Sequence, residues 1–333
     1  MLIEPELIEE ASITVHQWLS PTPLVRSAHL SQKLDANVWL KLETLQPTHS
    51  FKVRGAFNAI AKLSDAQRNR GVVTASGGNH GLAVAYAARA SGIAATVLLP
   101  EKTPEVRIRA IRAQQATLLL RGVSWDDANI EAGEMARVEG KTYIHPFDDE
   151  HVMAGQGTIV PELVRQIPRI DVLVASIGGG GLLSGLISAA AALTPTTRLV
   201  GVETEGADSM YQSQRAGRIV ELPAITSIAE TLGARKTEQR QFAIISSYAS
   251  ALVTVSDADA IAALVNLLSE EKLLTEPATS CSIAALLSGK VPVVAGENIV
   301  VVLCGANVGI RHVADWIAKG AETHQPSCSP NLA

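Results

Sequence analysis

Lys52 has the clearest potential for chemistry in this sequence. It lies between Phe51 and Val53 in the segment THSFKVRGA (48–56), at the predicted start of a helix. Burial among apolar side chains destabilises an ammonium ion, which lowers the pKa and makes the free amine available as a nucleophile or a base. A surface lysine at the start of an amphipathic helix is the alternative interpretation of this segment.

A glycine-containing loop, SGGNHG, follows a predicted strand and precedes a helix of small residues. Backbone N–H groups at the start of a helix form an anion site, and glycines let a ligand approach closely. The candidate binding residues are Ser76, Gly77, Gly78, Asn79 and His80. The Asn79 amide suits a phenolic oxygen or a carboxylate, whereas His80 either fixes the loop or takes part in catalysis. An ordinary turn capped by Ser76 or Asn79 is the alternative.

A second loop contains Gly178, Gly179, Gly180 and Gly181, after a buried predicted strand and before a predicted helix. Its N–H donors and the positive end of the helix fit a phosphate group. The segment lacks the third glycine of the GxGxxG pattern and the lysine of the Walker pattern. A phosphate cradle without a nucleotide signature indicates a phosphorylated cofactor. A purely structural glycine turn is the alternative.

Cys304 closes the last predicted strand. We expect its thiol to point into the same strand-end crevice as the four glycines, because ligands of such sheets bind at the carboxyl ends of the strands. A small buried hydrophobic residue is the alternative interpretation of this cysteine. An amine, a phosphate cradle, an amide and a small polar atom at one sheet edge would together surround pyridoxal phosphate, with Lys52 bound to it.

Apolar, β-branched runs alternate with alanine-rich helical patterns along nearly the whole chain. The predicted strands are 38–43, 71–76, 95–100, 116–121, 141–145, 171–177, 198–203, 251–256 and 298–304. The predicted helices are 53–64, 79–92, 104–113, 124–138, 152–166, 181–193, 258–270, 277–288 and 308–319. This alternation indicates an α/β fold with parallel strands covered on both faces. Because nine strands are many for one open sheet, we expect two sheets in two lobes.

The composition excludes several classes of function. The chain has 333 residues, enough for about two domains. With 47% hydrophobic and 18% charged residues, it can bury a substantial core. A net charge of −5 argues against a nucleic-acid partner and against an anionic membrane surface. An aromatic content of 4% argues against a protein-binding platform rich in Trp and Tyr.

The cysteines and the start of the chain bear on the cellular compartment. Cys281, Cys304 and Cys328 lie far apart, which is typical of reduced thiols in a cytoplasm. The segment MLIEPELIEEAS has no basic residue, so we expect no signal peptide. The uncharged run 172–193 is long enough to span a bilayer, but its central glycines indicate a strand, a turn and a helix.

Five segments resemble the motifs of fold-type II pyridoxal-phosphate enzymes, and above all the branch of serine/threonine dehydratases and serine racemase. They are SFKVRGA, SGGNHG, AGQGT, GGGGLLSG and LCGAN, spread over roughly residues 15–320. The resemblance implies a two-domain α/β fold similar to the tryptophan synthase β subunit, with two mostly parallel twisted sheets flanked by helices. It implies a large cofactor-binding domain (1–50 and 149–320), a small mobile domain (51–148) and a disordered tail (321–333).

The resemblance also implies a role for each motif. Lys52 is expected to form the Schiff base, Asn79 to bond the phenolic oxygen, and Cys304 to lie beside the pyridine nitrogen. The Ser76–His80 loop is expected to receive the substrate carboxylate. The residues expected to contact the cofactor are Lys52, Phe51, Asn79, Gly178, Gly179, Gly180, Gly181, Leu182 and Cys304.

The activity implied is β-elimination of the hydroxyl of L-threonine and/or L-serine, with Lys52 as the catalytic base. The products would be 2-oxobutanoate or pyruvate, plus ammonia. The alternatives are another 3-hydroxy amino acid (phenylserine, hydroxyaspartate or a hydroxyectoine-derived compound), serine racemase activity, β-replacement, and a non-catalytic binding protein. A homodimer is expected from the family.

Three departures from the family qualify this expectation. Gly77 stands where serine racemase has a second catalytic serine, so we expect little racemisation. The segment Ala229-Glu230-Thr231 replaces the usual ADG and leaves the preferred substrate open. At the position where some members of the family bind a divalent cation, Glu203, Ala207 and Ser209 supply only one carboxylate, so a hard cation would be held weakly and we assign no metal site.

Overall fold

The computed structural model of the protein describes residues 1–323. The strands are β1 (Leu24–Arg26), β2 (Asn37–Lys41), β3 (Val72–Ala75), β4 (Ala95–Leu99), β5 (Thr117–Leu120), β6 (Thr142–Tyr143), β7 (Val172–Ser176), β8 (Arg198–Thr204), β9 (Ala251–Val255) and β10 (Asn298–Val302). The helices are α1 (Pro5–His16), α2 (Ala28–Leu34), α3 (Lys52–Ala61), α4 (Asp65–Arg70), α5 (Asn79–Ala90), α6 (Glu105–Arg112), α7 (Trp125–Glu139), α8 (Glu150–Gly157), α9 (Ile159–Gln166), α10 (Gly181–Leu193), α11 (Ser209–Ala216), α12 (Gln239–Tyr248), α13 (Asp257–Asn266), α14 (Pro277–Leu287) and α15 (Ile310–Thr323). Single helical turns lie at Glu43–Leu45, Glu230–Leu232 and Leu267–Glu271.

The strands form two sheets. The larger has the order β1-β2-β10-β7-β8-β9, and all of its strand pairs are parallel except β1 with β2. The smaller has the order β5-β4-β3-β6 and is parallel throughout. The prediction of an α/β fold with two mostly parallel sheets is therefore confirmed.

Alternating side chains bury both faces of the larger sheet. On β7, Leu173 and Ala175 belong to one hydrophobic core, whereas Val172 and Val174 belong to the core on the opposite face. This alternation explains why the central strands are continuous apolar runs, since no residue of β7 faces water. In the described residues, no helix is both long and apolar enough to cross a membrane.

Local signals set several helix boundaries. Ser64, Ser124 and Ser256 precede α4, α7 and α13, and each side chain accepts a hydrogen bond from the third backbone N–H of its helix. In each case the side chain at that third position bonds back to the serine N–H, which completes a capping box. Such caps contribute about 1 kcal/mol each and fix where the chain enters a helix.

The structure confirms all nine predicted strands to within two residues at either end, and it corrects other predictions. The predicted helix 152–166 is interrupted after Gly157, where a Cβ would lie 2.9 Å from the Gly185 carbonyl oxygen. The short antiparallel strand β1 was not predicted, and α1, α2, α4, α11 and α12 were missed. Of the tail predicted to be disordered, 321–333, the first three residues belong to α15, and the remainder lies outside the described residues.

A buried cluster of charged side chains joins β2, α3 and α9. Arg54 on α3 binds Glu43 through Nε at 2.7 Å and Glu162 through Nη1 at 2.6 Å, and none of the three is more than 1% exposed. Lys41 adds a contact of 2.6 Å to Glu162. Burial alone would raise the pKa of Glu162, but hydrogen bonds and charges from Arg54 and Lys41 lower it to about 2. The cluster therefore holds the start of α3 against two distant segments.

Replacing Arg54 should test the importance of this cluster. We expect Arg54→Ala to lower the free energy of unfolding by about 3–5 kcal/mol, because two carboxylates would remain buried without their cation. Urea denaturation followed by circular dichroism measures this change. Arg137→Ala is the matched control, since the Arg137–Glu134 pair is exposed and should contribute little. A loss no larger than that of the control would contradict the account.

Candidate active site

One cavity of ≈ 340 Å³ contains every residue predicted as part of the site. It lies between the two sheets, at the carboxyl ends of β3, β7 and β10. The predicted residues that line it are Phe51, Lys52, Ser76, Gly77, Gly78, Asn79, His80, Gly178, Gly179, Gly180, Gly181, Leu182 and Cys304. Segments far apart in the sequence thus meet in one place, as expected for the edge of a parallel sheet.

Lys52 is the first residue of α3, and its amine faces this cavity. Its Nζ donates a hydrogen bond of 2.7 Å to the carbonyl oxygen of Pro146. Burial lowers the pKa of Lys52 to about 8, with Cys304 and Glu276 acting in the opposite direction. A larger fraction of this amine than of an ordinary lysine is therefore uncharged near neutral pH and can react as a nucleophile or a base.

The four-glycine loop packs closely against Phe147 and leads directly into α10. A Cβ on Gly179 would lie 2.2 Å from the Phe147 ring, and a Cβ on Gly181 would lie 2.9 Å from the Phe147 Cα. Gly180 has a φ of +94°, a conformation that side chains rarely adopt. The backbone can therefore follow this path only with glycine, and its N–H groups and the α10 N-terminus suit a phosphate.

A hydrogen bond joins the SGGNHG loop to the segment after β6. His80 Nε2 donates to the carbonyl oxygen of Ile144 at 3.0 Å, which means that Nδ1 carries no proton. Burial, together with the charge of Lys52, lowers the pKa of His80 to about 3, so the ring is neutral. Of the two roles predicted for His80, the contact with Ile144 supports fixing of the loop.

Cys304 is a buried thiol with two hydroxyl neighbours. Its Sγ lies 3.2 Å from Ser176 Oγ and 3.0 Å from Thr279 Oγ1. Burial raises the pKa of Cys304 to about 11, so the sulfur keeps its proton at neutral pH. The Cys304 sulfur is therefore a neutral polar atom at the position that the family resemblance implies to lie beside the pyridine nitrogen.

Sequence reasoning missed Glu276, which lines the cavity and is 4% exposed. Its Oε1 accepts hydrogen bonds from Asn79 Nδ2 at 2.8 Å and from Thr231 Oγ1 at 2.9 Å. Burial raises the pKa of Glu276, while these two bonds act in the opposite direction. One sequence signal could have revealed it: Glu276 is the lone charged residue between Lys272 and Lys290.

Further lining residues were also missed: Trp125, Phe147 and Arg107. Trp125 Nε1 donates to the carbonyl oxygen of Ala75, which fixes the indole beside the SGGNHG loop. Arg107 Nη1 lies 3.0 Å from Glu230 Oε2 and so joins α6 to the unusual 229–231 segment across the cavity. Both contacts link elements more than 45 residues apart, and single-sequence patterns do not show such contacts.

Two departures from the family can be placed in the structure. A Cβ on Gly77 would lie 2.7 Å from Thr103 Oγ1, and the Thr103 hydroxyl donates to the carbonyl oxygen of Pro100. Glu203 accepts hydrogen bonds from the backbone of Met210 and Tyr211 at the start of α11. Among residues 1–323, no group of three or more His, Cys, Asp and Glu side chains is arranged to hold a metal ion.

The residues present fit pyridoxal phosphate. A glycine cradle that no side chain could occupy, a buried amine with a lowered pKa, and a neutral thiol form its complementary surface. Glu276 Oε2 and His80 Nδ1 are buried polar atoms for which the described residues supply no hydrogen-bond partner, so a ligand in the cavity has polar atoms to engage.

Comparisons with known proteins agree with this fit. Residues 15–305 match the family described as pyridoxal-phosphate dependent enzyme. The chain is 36% identical over 319 residues to an L-threonine ammonia-lyase of Thermotoga maritima, a match that covers 96% of this chain and 79% of that protein.

Two solved structures extend the comparison. The fold is similar to that of threonine deaminase isoform 2 of Solanum lycopersicum, with a TM-score of 0.88 and 31% identity over 95% of this chain and 90% of that one. It is also similar to maize serine racemase, with a TM-score of 0.90 and 30% identity over 97% of this chain and 99% of that one. These similarities extend over nearly the whole chain.

The lowered pKa of Lys52 predicts how cofactor capture depends on pH. An amine reacts only when it is unprotonated, so the rate at which the cofactor-free protein captures pyridoxal phosphate should rise with pH. The rise should be half complete near pH 8, well below the ordinary lysine value of 10.5. Stopped-flow measurement of the visible absorption band gives this rate. A rate that is flat across pH 8 and rises only near 10.5 would contradict the assignment.

Proposed function

Because this chain belongs to the pyridoxal-phosphate-dependent enzymes, we propose that it is an ammonia-lyase for L-threonine and/or L-serine. The substrate would lose its hydroxyl and amino groups to give 2-oxobutanoate or pyruvate, plus ammonia. The observation that carries this proposal is the cavity in which the Lys52 amine, the glycine cradle and the neutral Cys304 thiol meet. The substrate class is inferred from the similarity to the L-threonine ammonia-lyase of Thermotoga maritima, which extends over nearly the whole chain.

Lys52 and the SGGNHG loop have different roles: Lys52 removes a proton from the substrate, and the loop binds the substrate carboxylate. When bound, the cofactor supplies an electron sink for the electron pair left at the α-carbon. Lys52 Nζ, as a free amine, takes the α-proton. The backbone N–H groups at the start of α5 hold the substrate carboxylate, aided by the positive end of the helix.

Cys304 favours elimination over transamination. Its pKa of about 11 keeps the thiol neutral, so no carboxylate is present there to hold a proton on the pyridine nitrogen. Such a site withdraws electrons only moderately. Elimination suits it, because the leaving hydroxyl takes the electron pair away.

Gly77 argues against the racemase alternative. Racemisation needs a second acid or base on the opposite face of the α-carbon, and glycine offers none. Thr103 occupies the space beside Gly77, so a side chain there would require Thr103 to shift. Serine racemase activity should therefore be minor.

The 229–231 segment keeps open the alternative of a different 3-hydroxy amino acid, because it changes the side chains of the cavity wall. Thr231 and Glu230 line the cavity, and Thr231 Cγ2 lies 3.8 Å from where a Gly78 Cβ would be. Both side chains stand where the family's usual segment has Asp-Gly, so they alter the wall opposite the SGGNHG loop. Phenylserine, hydroxyaspartate and a hydroxyectoine-derived substrate remain the candidates to compare with threonine.

The proposal includes the assembly and location of the enzyme. A large domain would comprise 1–50 and 149–320, and a small mobile domain 51–148; the smaller sheet, between Val72 and Tyr143, supports the latter. A homodimer is proposed from the family resemblance. A cytoplasmic location is proposed from the sparse, widely spaced cysteines, of which Cys281 and Cys304 are free thiols in the described residues.

Steady-state kinetics with L-threonine test the proposed reaction. The wild-type holoenzyme should release 2-oxobutanoate and ammonia in equal amounts, measured by a lactate dehydrogenase-type coupled assay and an ammonia assay. Lys52→Ala should lower kcat at least about a thousandfold, because both cofactor attachment and the base are lost. Lys102→Ala is the matched control, since Lys102 also lines the cavity but is exposed. Faster turnover of phenylserine or hydroxyaspartate than of threonine would transfer the assignment to that substrate.

A further inference from the structure

Asn307 ends the LCGAN motif, and the proposed function gives its side chain no role. Its Nδ2 donates one hydrogen bond of 2.7 Å to the carbonyl oxygen of Thr48 and another of 2.7 Å to Asn79 Oδ1. A backbone carbonyl oxygen can only accept, so the amide nitrogen of Asn307 must point towards Thr48. Both hydrogens of this amide are thereby used.

The orientation of Asn307 determines the orientation of Asn79. Because Asn307 presents an N–H group, Asn79 must present its oxygen, and Asn79 Nδ2 then faces Glu276 Oε1 at 2.8 Å. An amide nitrogen has two hydrogens, so one is left after the bond to Glu276. Asn79 lines the cavity and is 7% exposed, which makes this hydrogen a fixed donor of the site.

Glu276 supports the same orientation, since its Oε1 accepts hydrogen bonds from Asn79 Nδ2 and from the Thr231 hydroxyl. The Thr48 carbonyl oxygen can only accept, so it fixes the direction of the Asn307 amide, and Asn307 transmits this direction to Asn79.

We propose that Asn307 is a positioning residue that keeps the nitrogen of the Asn79 amide towards the phenolic oxygen of the cofactor. The inference rests on the proposed function and on the role that the family resemblance implies for Asn79, which is to bind that oxygen. With the amide reversed, Asn79 would present lone pairs to an oxygen that also carries negative charge, and binding would lose an attraction and gain a repulsion.

An isosteric substitution tests whether Asn307 acts by orienting the Asn79 amide or only by packing against it. Asn307→Asp keeps the shape but replaces the N–H group by an acceptor, so it should attract Asn79 Nδ2 and reverse that amide. We expect pyridoxal phosphate to bind at least about tenfold more weakly, equivalent to about 1.4 kcal/mol. We also expect the visible absorption band of the bound cofactor to shift. Asn307→Ala removes the partner without reversing Asn79, and binding should weaken less than about threefold.

If Asn307 only packs against its neighbours, the order is reversed, and Asn307→Ala weakens pyridoxal-phosphate binding more than Asn307→Asp does. Binding by Asn307→Asp that equals wild type, or binding by Asn307→Ala that is weaker than by Asn307→Asp, would overturn the proposal. Thermal unfolding of each cofactor-free variant checks that it folds. If the aspartate variant does not fold, Asn307→Ser retains one donor and should bind within about threefold of wild type; a tenfold loss there would also overturn it.

The same titrations distinguish this inference from the proposed function. A wild-type protein that captures pyridoxal phosphate, together with an unaffected Asn307→Asp variant, removes only the role of Asn307. A wild-type protein that forms no visible band would refute the cofactor site itself, and the role of Asn307 with it.

Discussion

The buried ion pairs of Arg54 with Glu43 and Glu162 are the constraint on which the site depends. Charges at this depth are costly unless each keeps its partner, so the cluster tolerates few alternative arrangements. It fixes the start of α3 against the turn that follows β2 and against α9, and Lys52 lies only two residues before Arg54. The backbone position of Lys52 is therefore set by contacts that lie outside the cavity.

Desolvation gives the cavity its chemical character. Burial is the largest cause of every resolved pKa shift among the ionisable groups that line it: it lowers the pKa of Lys52 and His80, and it raises the pKa of Cys304 and Glu276. Each group is moved towards its uncharged form. Such a cavity offers a neutral amine for reaction and a neutral thiol beside the cofactor ring, and it leaves the phosphate to the dipoles of the glycine loop.

Local patterns predicted much of the fold and part of the site. The β-branched runs predicted the strands because burial of both sheet faces imposes a continuous apolar sequence. The motifs after β3 and β10 predicted Asn79 and Cys304 as site residues because ligands of parallel sheets bind at the carboxyl ends of the strands, whereas Lys52 was predicted from its apolar neighbours. Glu276 and Asn307 escaped prediction because they contact Asn79 from 197 and 228 residues away. The three-residue strand β1 escaped because it is too short to show a period.

Peptide mapping after borohydride reduction tests the central claim most directly. Reduction of the holoenzyme makes the bond between a lysine and pyridoxal phosphate permanent, and mass spectrometry then locates the modified residue. We predict a phosphopyridoxyl group on the peptide that contains Lys52, and its loss from that peptide once L-threonine has been added before reduction. Modification of Lys102 or another lysine instead, or no modification at all, would contradict it.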